Sequence, residues 1–198
     1  ADRVKGYIGL SGILRRKIEV ERIVVIGPAL WSNRAQLDAI IDNYKKYSGK
    51  KKKGFISVDV KAIIIEGGEI SFFDEKANAV TTAEGLDVEL LLREEPELGF
   101  SVGGLAVSVR DWPVMKGRLR GSAVIKENAV VIKRLTVNSD GSGLAGSGSY
   151  SKGKGNFNLD MDLLVETLKN LFGLKKPGMG AIRASGTVIV PENIKDAS

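Results

Sequence analysis

The chain reads as mainly β, a curved sheet of antiparallel strands in a meander with two short amphipathic helices set into it. Three observations predict this. After residue 54 apolar and polar residues alternate along most of the sequence, which is the period of half-buried strands. Turn signals such as Glu66-Gly67-Gly68, Lys126-Glu127-Asn128, Ser139-Asp140-Gly141 and Ser151-Lys152-Gly153-Lys154-Gly155 recur roughly every ten to fifteen residues, so that each strand pairs with its neighbour in sequence. Finally, 24 glycines in 198 residues exceed an average usage of ~7%. Several, including Gly146 and Gly148, sit within strand patterns, where they permit sharp bends.

Taken in order, the chain begins almost directly in a strand-like run, Val4 to Leu10. That beginning, with no signal-peptide pattern in Ala1-Asp2-Arg3-Val4, leads us to expect a segment, residues 1–198, excised from a longer protein. From about residue 30 to 47 the alternation breaks. Leu37, Ile40, Ile41 and Tyr44 fall at helical spacing after Pro28 and an Asn33-x-x-Gln36 start signal, predicting an amphipathic helix opened by a capping box. The Lys50 to Lys53 run reads as a solvated loop, with contact to anionic lipid headgroups as the alternative.

Strands resume with Ile56 to Asp74, where Val58, Val60, Ile70 and Phe72 are assigned to the apolar face. In the next strand that face holds Leu86, Val88, Leu90 and Leu92, against Asp87 and Glu89. Leu119, Ala123 and Ile125 oppose Arg118, Arg120 and Ser122, and the strands after them contribute Val130, Ile132 and Leu144. Phe157, Leu159 and Met161 oppose Asn156, Asn158 and Asp160. A second helix is expected from about 162 to 173, capped by Asp160 or Asp162, with Leu164, Val165, Leu168, Leu171 and Phe172 on one side and Gly173 as its stop,. Ile182, Val188 and Val190 close the set against Arg183, Ser185 and Thr187. Each helix is expected to pack on the sheet or plug one end of it, with insertion into a membrane surface as the alternative.

Composition removes many chemistries. Cysteine and histidine are absent, so thiolate nucleophiles, disulfides, imidazole bases and nearly every zinc, copper or haem site are excluded, and no cofactor is expected. The formal charge of +6 invites a nucleic-acid reading. Only Lys50 to Lys53 form a dense basic run, however, and basic residues do not interleave with aromatics, so no nucleic-acid partner is expected. The carboxylate pairs Asp160 with Asp162 and Glu94 with Glu95 read as solvent-facing rather than catalytic. The run Gly141 to Gly146 lacks the Lys-Ser/Thr of a phosphate loop,. Gly6, Gly9, Gly103 and Gly104 read as turn or bulge glycines, and Trp31 and Trp112 as corner anchors of the core. The chain is therefore expected not to be an enzyme.

The strand run Ile23-Val24-Val25-Ile26-Gly27-Pro28, a helix, and then Ile56 to Asp74 with its Gly67-Gly68-Glu69-Ile70-Ser71-Phe72-Phe73-Asp74 ending resemble the AsmA and TamB superfamily. Gly117-x-Leu119, the strands Ala129 to Val137, Gly143 to Tyr150 and Phe157 to Met161, a short helix and Gly186 are similar to its repeating pattern. The resemblance implies a long sheet folded lengthwise into an apolar trough, in the periplasm of a diderm bacterium, with an inner-membrane anchor outside this segment. It implies non-enzymatic transport of phospholipid between inner and outer membrane, with acyl chains as the cargo. An alternative is a structural or chaperone-like module that assists outer-membrane protein assembly by pairing a sheet edge with a β-barrel partner. It carries over no catalytic residue. Independently of the resemblance, two short helices are too little cover for the apolar face of about ten strands, and acyl chains would fill the deficit at about 0.8 kcal/mol per buried methylene. The rival is a sheet that closes on itself as a sandwich or barrel core.

Overall fold

The fold was analysed in a computed structural model, which describes residues 1–9, 17–36, 39, 57–109, 114–139, 141–151, 153–166 and 179–190. Among the described residues twelve strands are formed, β1 (Arg3–Gly9), β2 (Lys17–Ile26), β3 (Ala29–Asn33), β4 (Ser57–Val60), β5 (Ala62–Asp74), β6 (Ala79–Leu91), β7 (Glu97–Val109), β8 (Met115–Lys126), β9 (Ala129–Ser139), β10 (Ser142–Ser151), β11 (Lys154–Leu164) and β12 (Ala181–Val190). All belong to one open sheet ordered β1-β2-β5-β6-β7-β8-β9-β10-β11-β12, with β3 beside β5 and β4 beside β2.

From β5 to β12 the sheet is the antiparallel meander expected from the turn signals. Glu127-Asn128 joins β8 to β9, and Gly141 and Gly153, at φ 78° and 81°, lie in the β9–β10 and β10–β11 turns. The β5–β6 turn carried no glycine signal. It is made instead by Asp74, whose Oδ1 accepts from the N–H groups of Lys76 at 2.9 Å and Ala77 at 3.2 Å, with Asn78 at φ 47°,.

The expectation of an antiparallel meander throughout is corrected at the amino-terminal side. β2 runs parallel to β4 and β5, and β3 parallel to β5. Every pair in this block is offset by the same 40 positions, from Lys17↔Ser57 through Ile23↔Ile63 to Asn33↔Phe73. The two segments also read alike, Ile18-Glu19-Val20 beside Val58-Asp59-Val60 and Ile23-Val24-Val25 beside Ile63-Ile64-Ile65. The physical cause is the connection after Asn33. A two-residue hairpin reverses a chain, whereas a long crossover returns it to the starting end, so the next strand runs in the same direction.

Glu66-Gly67-Gly68 is not a turn, since all three residues lie within β5. Gly27, Gly67 and Gly85 have φ of 58°, 62° and 60° and stand at one level of β2/β3, β5 and β6, and the register of β7 shifts at the same level, between Val102 and Leu105. The shift lies at Gly103 and Gly104, as expected of bulge glycines,. Asp87 Oδ1 holds the crease by accepting from the Gly67 N–H at 3.0 Å. A bulge reverses the alternation of a strand. Because these are aligned, the strands reverse together and their apolar side chains stay on one face.

Of the two amphipathic helices expected, only short helical stretches are described, and each begins later than the expected bound. Residues 30–33 belong to β3, and helix is present at 34–36 and 39, with the other positions of the 30–47 segment outside the described residues. The capping box forms, the Gln36 N–H donating to Asn33 Oδ1 at 2.9 Å and the Asn33 N–H to Gln36 Oε1 at 3.1 Å,. Residues 162–164 finish β11, only 165 and 166 are described as helical, and 167–173 lie outside the described residues. Asp162 is held in the ladder opposite Arg183 with an Nε–Oδ2 distance of 3.1 Å, and so does not cap a helix. Trp31 is not a core anchor either, since it is 83% exposed, and Trp112 lies outside the described residues. Among the described residues no helix is long and apolar enough to cross a membrane.

Candidate functional site

Directly paired residues of neighbouring strands point their side chains to the same side of a sheet, so the register determines which residues share a face. One row runs through Gly6, Ile23, Ile63, Leu90 and Leu98. It continues through Ala123, Ile132, Gly148, Phe157 and Val188. The next row passes from Val4 through Val25, Ile65, Val88 and Phe100 to Gly121, Leu135, Gly146, Leu159 and Gly186. A third joins Gly68, Leu86, Val102 and Leu119 to Val137, Leu144, Met161 and Ala184. None of these rows contains a polar side chain. Ten strands spaced about 4.8 Å apart give the longest rows a length of about 43 Å.

The residues assigned to the apolar face from alternation fall on it together. Val58 and Val60 join it through Ile18 and Val20. Beyond the crease, Ile70 and Phe72 stand opposite Ala83 and Thr81. Ile125, Val130 and Val190 form a row with Tyr150 and Gly155, and Ile182 stands opposite Leu163. Leu92 lies just past β6, its N–H donating to the Lys61 carbonyl at 2.8 Å. The sequence reading passed over Leu98, Phe100 and Val102, although their alternation with Gly99 and Ser101 was there to be used. It also passed over Leu135 and Val137, which a shift of register between Ser122 and Ala123 in the β8–β9 pairing separates from Val130 and Ile132.

Glycine shapes this surface as much as the apolar side chains do. At Gly121, a Cβ would meet the Phe100 ring, 2.8 Å from its nearer edge carbon Cε1, and at Gly146 it would lie 2.8 Å from Leu159 Cδ2. The large residues of one strand therefore lie down over the glycines of the next, giving a low surface.

Little covers it. Of the buried apolar residues among those described, only Val102 and Ala123 lie on this face, Val24, Ala62 and Val124 being on the other, and no large side chain is fully enclosed. On the apolar face Ile182 is 48% exposed, Val188 45% and Val130 39%.

The opposite face is polar over β10 to β12 and the middle of the sheet, and apolar locally at Val24, Ile64, Ala62, Leu91, Val124 and Val131. It carries Asp87, Ser101, Arg120 and Thr136 in one row, which continues through Ala145 to Asp160 and Ser185. Asp160 and Asp162 are both on this face, as expected of solvent-facing strand residues. A hollow of about 870 Å³ bordered by Glu84, Lys116, Arg118 and Asp162 also lies here and not on the apolar side. Among the described residues no group of His, Cys, Asp and Glu is arranged to hold a metal ion. Comparison with protein-family models, with curated proteins and with solved structures finds no match for the chain.

Proposed function

We propose that this chain is a lipid-conducting segment of AsmA and TamB type, non-enzymatic, whose sheet folds lengthwise into a trough that carries phospholipid acyl chains between the inner and outer membranes of a diderm bacterium. The observation that carries the reading is the set of unbroken apolar rows crossing eight to ten strands with no described element laid over them. An apolar face of this extent has to be covered by protein or by ligand. Acyl chains suit it chemically. They need no directed polar contact, each methylene removed from water contributes about 0.8 kcal/mol, and a path without polar steps lets a chain slide without desolvating anything.

The test is to purify the protein from a diderm host, extract it with organic solvent and examine the extract by mass spectrometry. Phospholipid in stoichiometric amount is the expected result. A folded protein with an empty extract removes the reading.

A second reading is favoured by the sheet edges. β1 and β12 end the strand order, and β12 is exposed along almost its whole length. An edge strand offers unpaired N–H and C=O groups to an incoming strand, which fits a module that pairs with strands of an outer-membrane β-barrel. Variants on the apolar face separate the two, because they empty a lipid path and leave edge pairing intact.

A further inference from the structure

The polar face carries a feature that lipid carriage on the other side does not use. Arg118 and Arg120 lie two residues apart on β8, and Arg134 stands on β9 directly opposite Ser122. All three share one face, Arg120 standing about 7 to 8 Å by Cα from each of the other two, which flank it about 14 Å apart,. They are exposed, and with Ser101, Ser122, Thr136 and Asn138 they line a hollow of about 620 Å³.

The charge is unbalanced there. Elsewhere in the sheet cations meet carboxylates, Lys126 with Glu95 at 3.3 Å, Lys61 with Glu19 at 3.8 Å and Arg183 with Asp162 at 3.1 Å. Among the described residues, none of the three guanidiniums has a carboxylate within ion-pair distance. Asp87 is the one acid bordering the hollow. It lies two strands from Arg120 across Ser101, about 9.6 Å by strand spacing, and its Oδ1 accepts from Gly67.

Three adjacent like charges repel, and an oxyanion bridging them turns that repulsion into attraction. Each guanidinium is a planar fork of donors suited to oxygen pairs. One carboxylate presents a single such pair, whereas a phosphate group presents several oxygens in a tetrahedron and can face three forks at once. Ser101, Ser122, Thr136 and Asn138 add neutral donors around the same hollow. The geometry points to a binding site for a phosphate group on the polar face, held by Arg118, Arg120 and Arg134. The site is separate from the acyl-chain path, since a lipid seated in mid-sheet on one face cannot reach through the backbone to the other.

The phosphate could belong to a soluble ester or to a headgroup at a membrane surface, and two arms separate the sources. In the first, inorganic phosphate is titrated into the protein by calorimetry at low ionic strength. In the second, the protein is sedimented with phosphatidylcholine vesicles containing either phosphatidic acid, whose phosphomonoester presents three free oxygens, or phosphatidylglycerol, whose diester presents two, at equal surface charge. Saturable phosphate binding that weakens about tenfold in Arg118→Gln, Arg120→Gln and Arg134→Gln, with Lys133→Gln unchanged, supports the site and assigns a soluble ligand. Sedimentation with phosphatidic acid that exceeds sedimentation with phosphatidylglycerol and is lost in the same three variants supports it and assigns the headgroup, whereas equal sedimentation with the two lipids shows surface charge alone and overturns it. The phospholipid extracted from the protein is measured alongside, so that failure of the anion site and failure of lipid carriage are read separately. Absence of both kinds of binding, equal binding by the folded triple variant, or retention on RNA alone overturns the proposal.

Discussion

Leu90→Lys tests the apolar path at its most informative point. Leu90 is the fourth member of the ten-strand row, flanked by Ile63 on β5 and Leu98 on β7, with Val88 on the same face along its own strand. It is half-buried by these neighbours, so its replacement leaves the backbone ladder intact and is expected to lower stability by about 1 kcal/mol. An ammonium set among acyl chains is far more costly. Insertion scales put a lysine in a hydrocarbon environment at about 3 kcal/mol, and about 1.4 kcal/mol is a factor of ten, so the affinity for acyl chains at that position falls on the order of a hundredfold. The assay is quantitative mass spectrometry of extracted phospholipid per mole of protein, with far-ultraviolet circular dichroism to verify the sheet. Glu89→Lys, one residue away and on the opposite face, is the matched control. A Leu90→Lys protein that folds and carries the same lipid load would falsify the trough. An equal loss in Glu89→Lys would show that net charge, not the apolar row, governs carriage.

Two further substitutions test the fold. Gly148→Ala would drive a Cβ into the Asn156 carbonyl oxygen and to 2.7 Å from Phe157 Cα, whereas the same change at Gly6 meets nothing within 4 Å. Urea denaturation should therefore show Gly148→Ala destabilised by about 1–3 kcal/mol and Gly6→Ala close to unchanged, and equal effects would refute the account of glycines as the places where neighbouring strands close over one another. Asn33→Ala removes one arm of the reciprocal cap with Gln36 and should cost about 1 kcal/mol by the same measurement, with Asn33→Asp retaining most of the stability.

The mainly β class was legible because alternation is a local property that each strand displays by itself. So was the facing of particular residues. Leu86, Val88 and Leu90 against Asp87 and Glu89 specify a face without knowledge of any neighbour, and the register brings that face together with those of Leu119, Phe157 and Val188. The capping box at Asn33 and Gln36 was equally readable, because both partners lie within four residues. The helix ends were not. Asp162 looks like a cap in isolation, and only β12, which brings Arg183 opposite it, keeps it in a strand.

Two features lay beyond any single segment. The parallel block of β2 and β3 with β4 and β5 depends on where the crossover returns the chain, which no alternation records. Gly67 reads as a turn from its own surroundings. It becomes part of a crease only because Gly27 and Gly85 fall at the same level in the adjacent strands. The arginine hollow arose in the same way, since Arg118, Arg120 and Arg134 are scattered polar positions until β8 and β9 pair. Sequence by itself determined that each strand has one greasy side. Pairing decided that those sides join into continuous rows, because a side chain's face follows from its own strand but its neighbours across the sheet follow from the register of the whole.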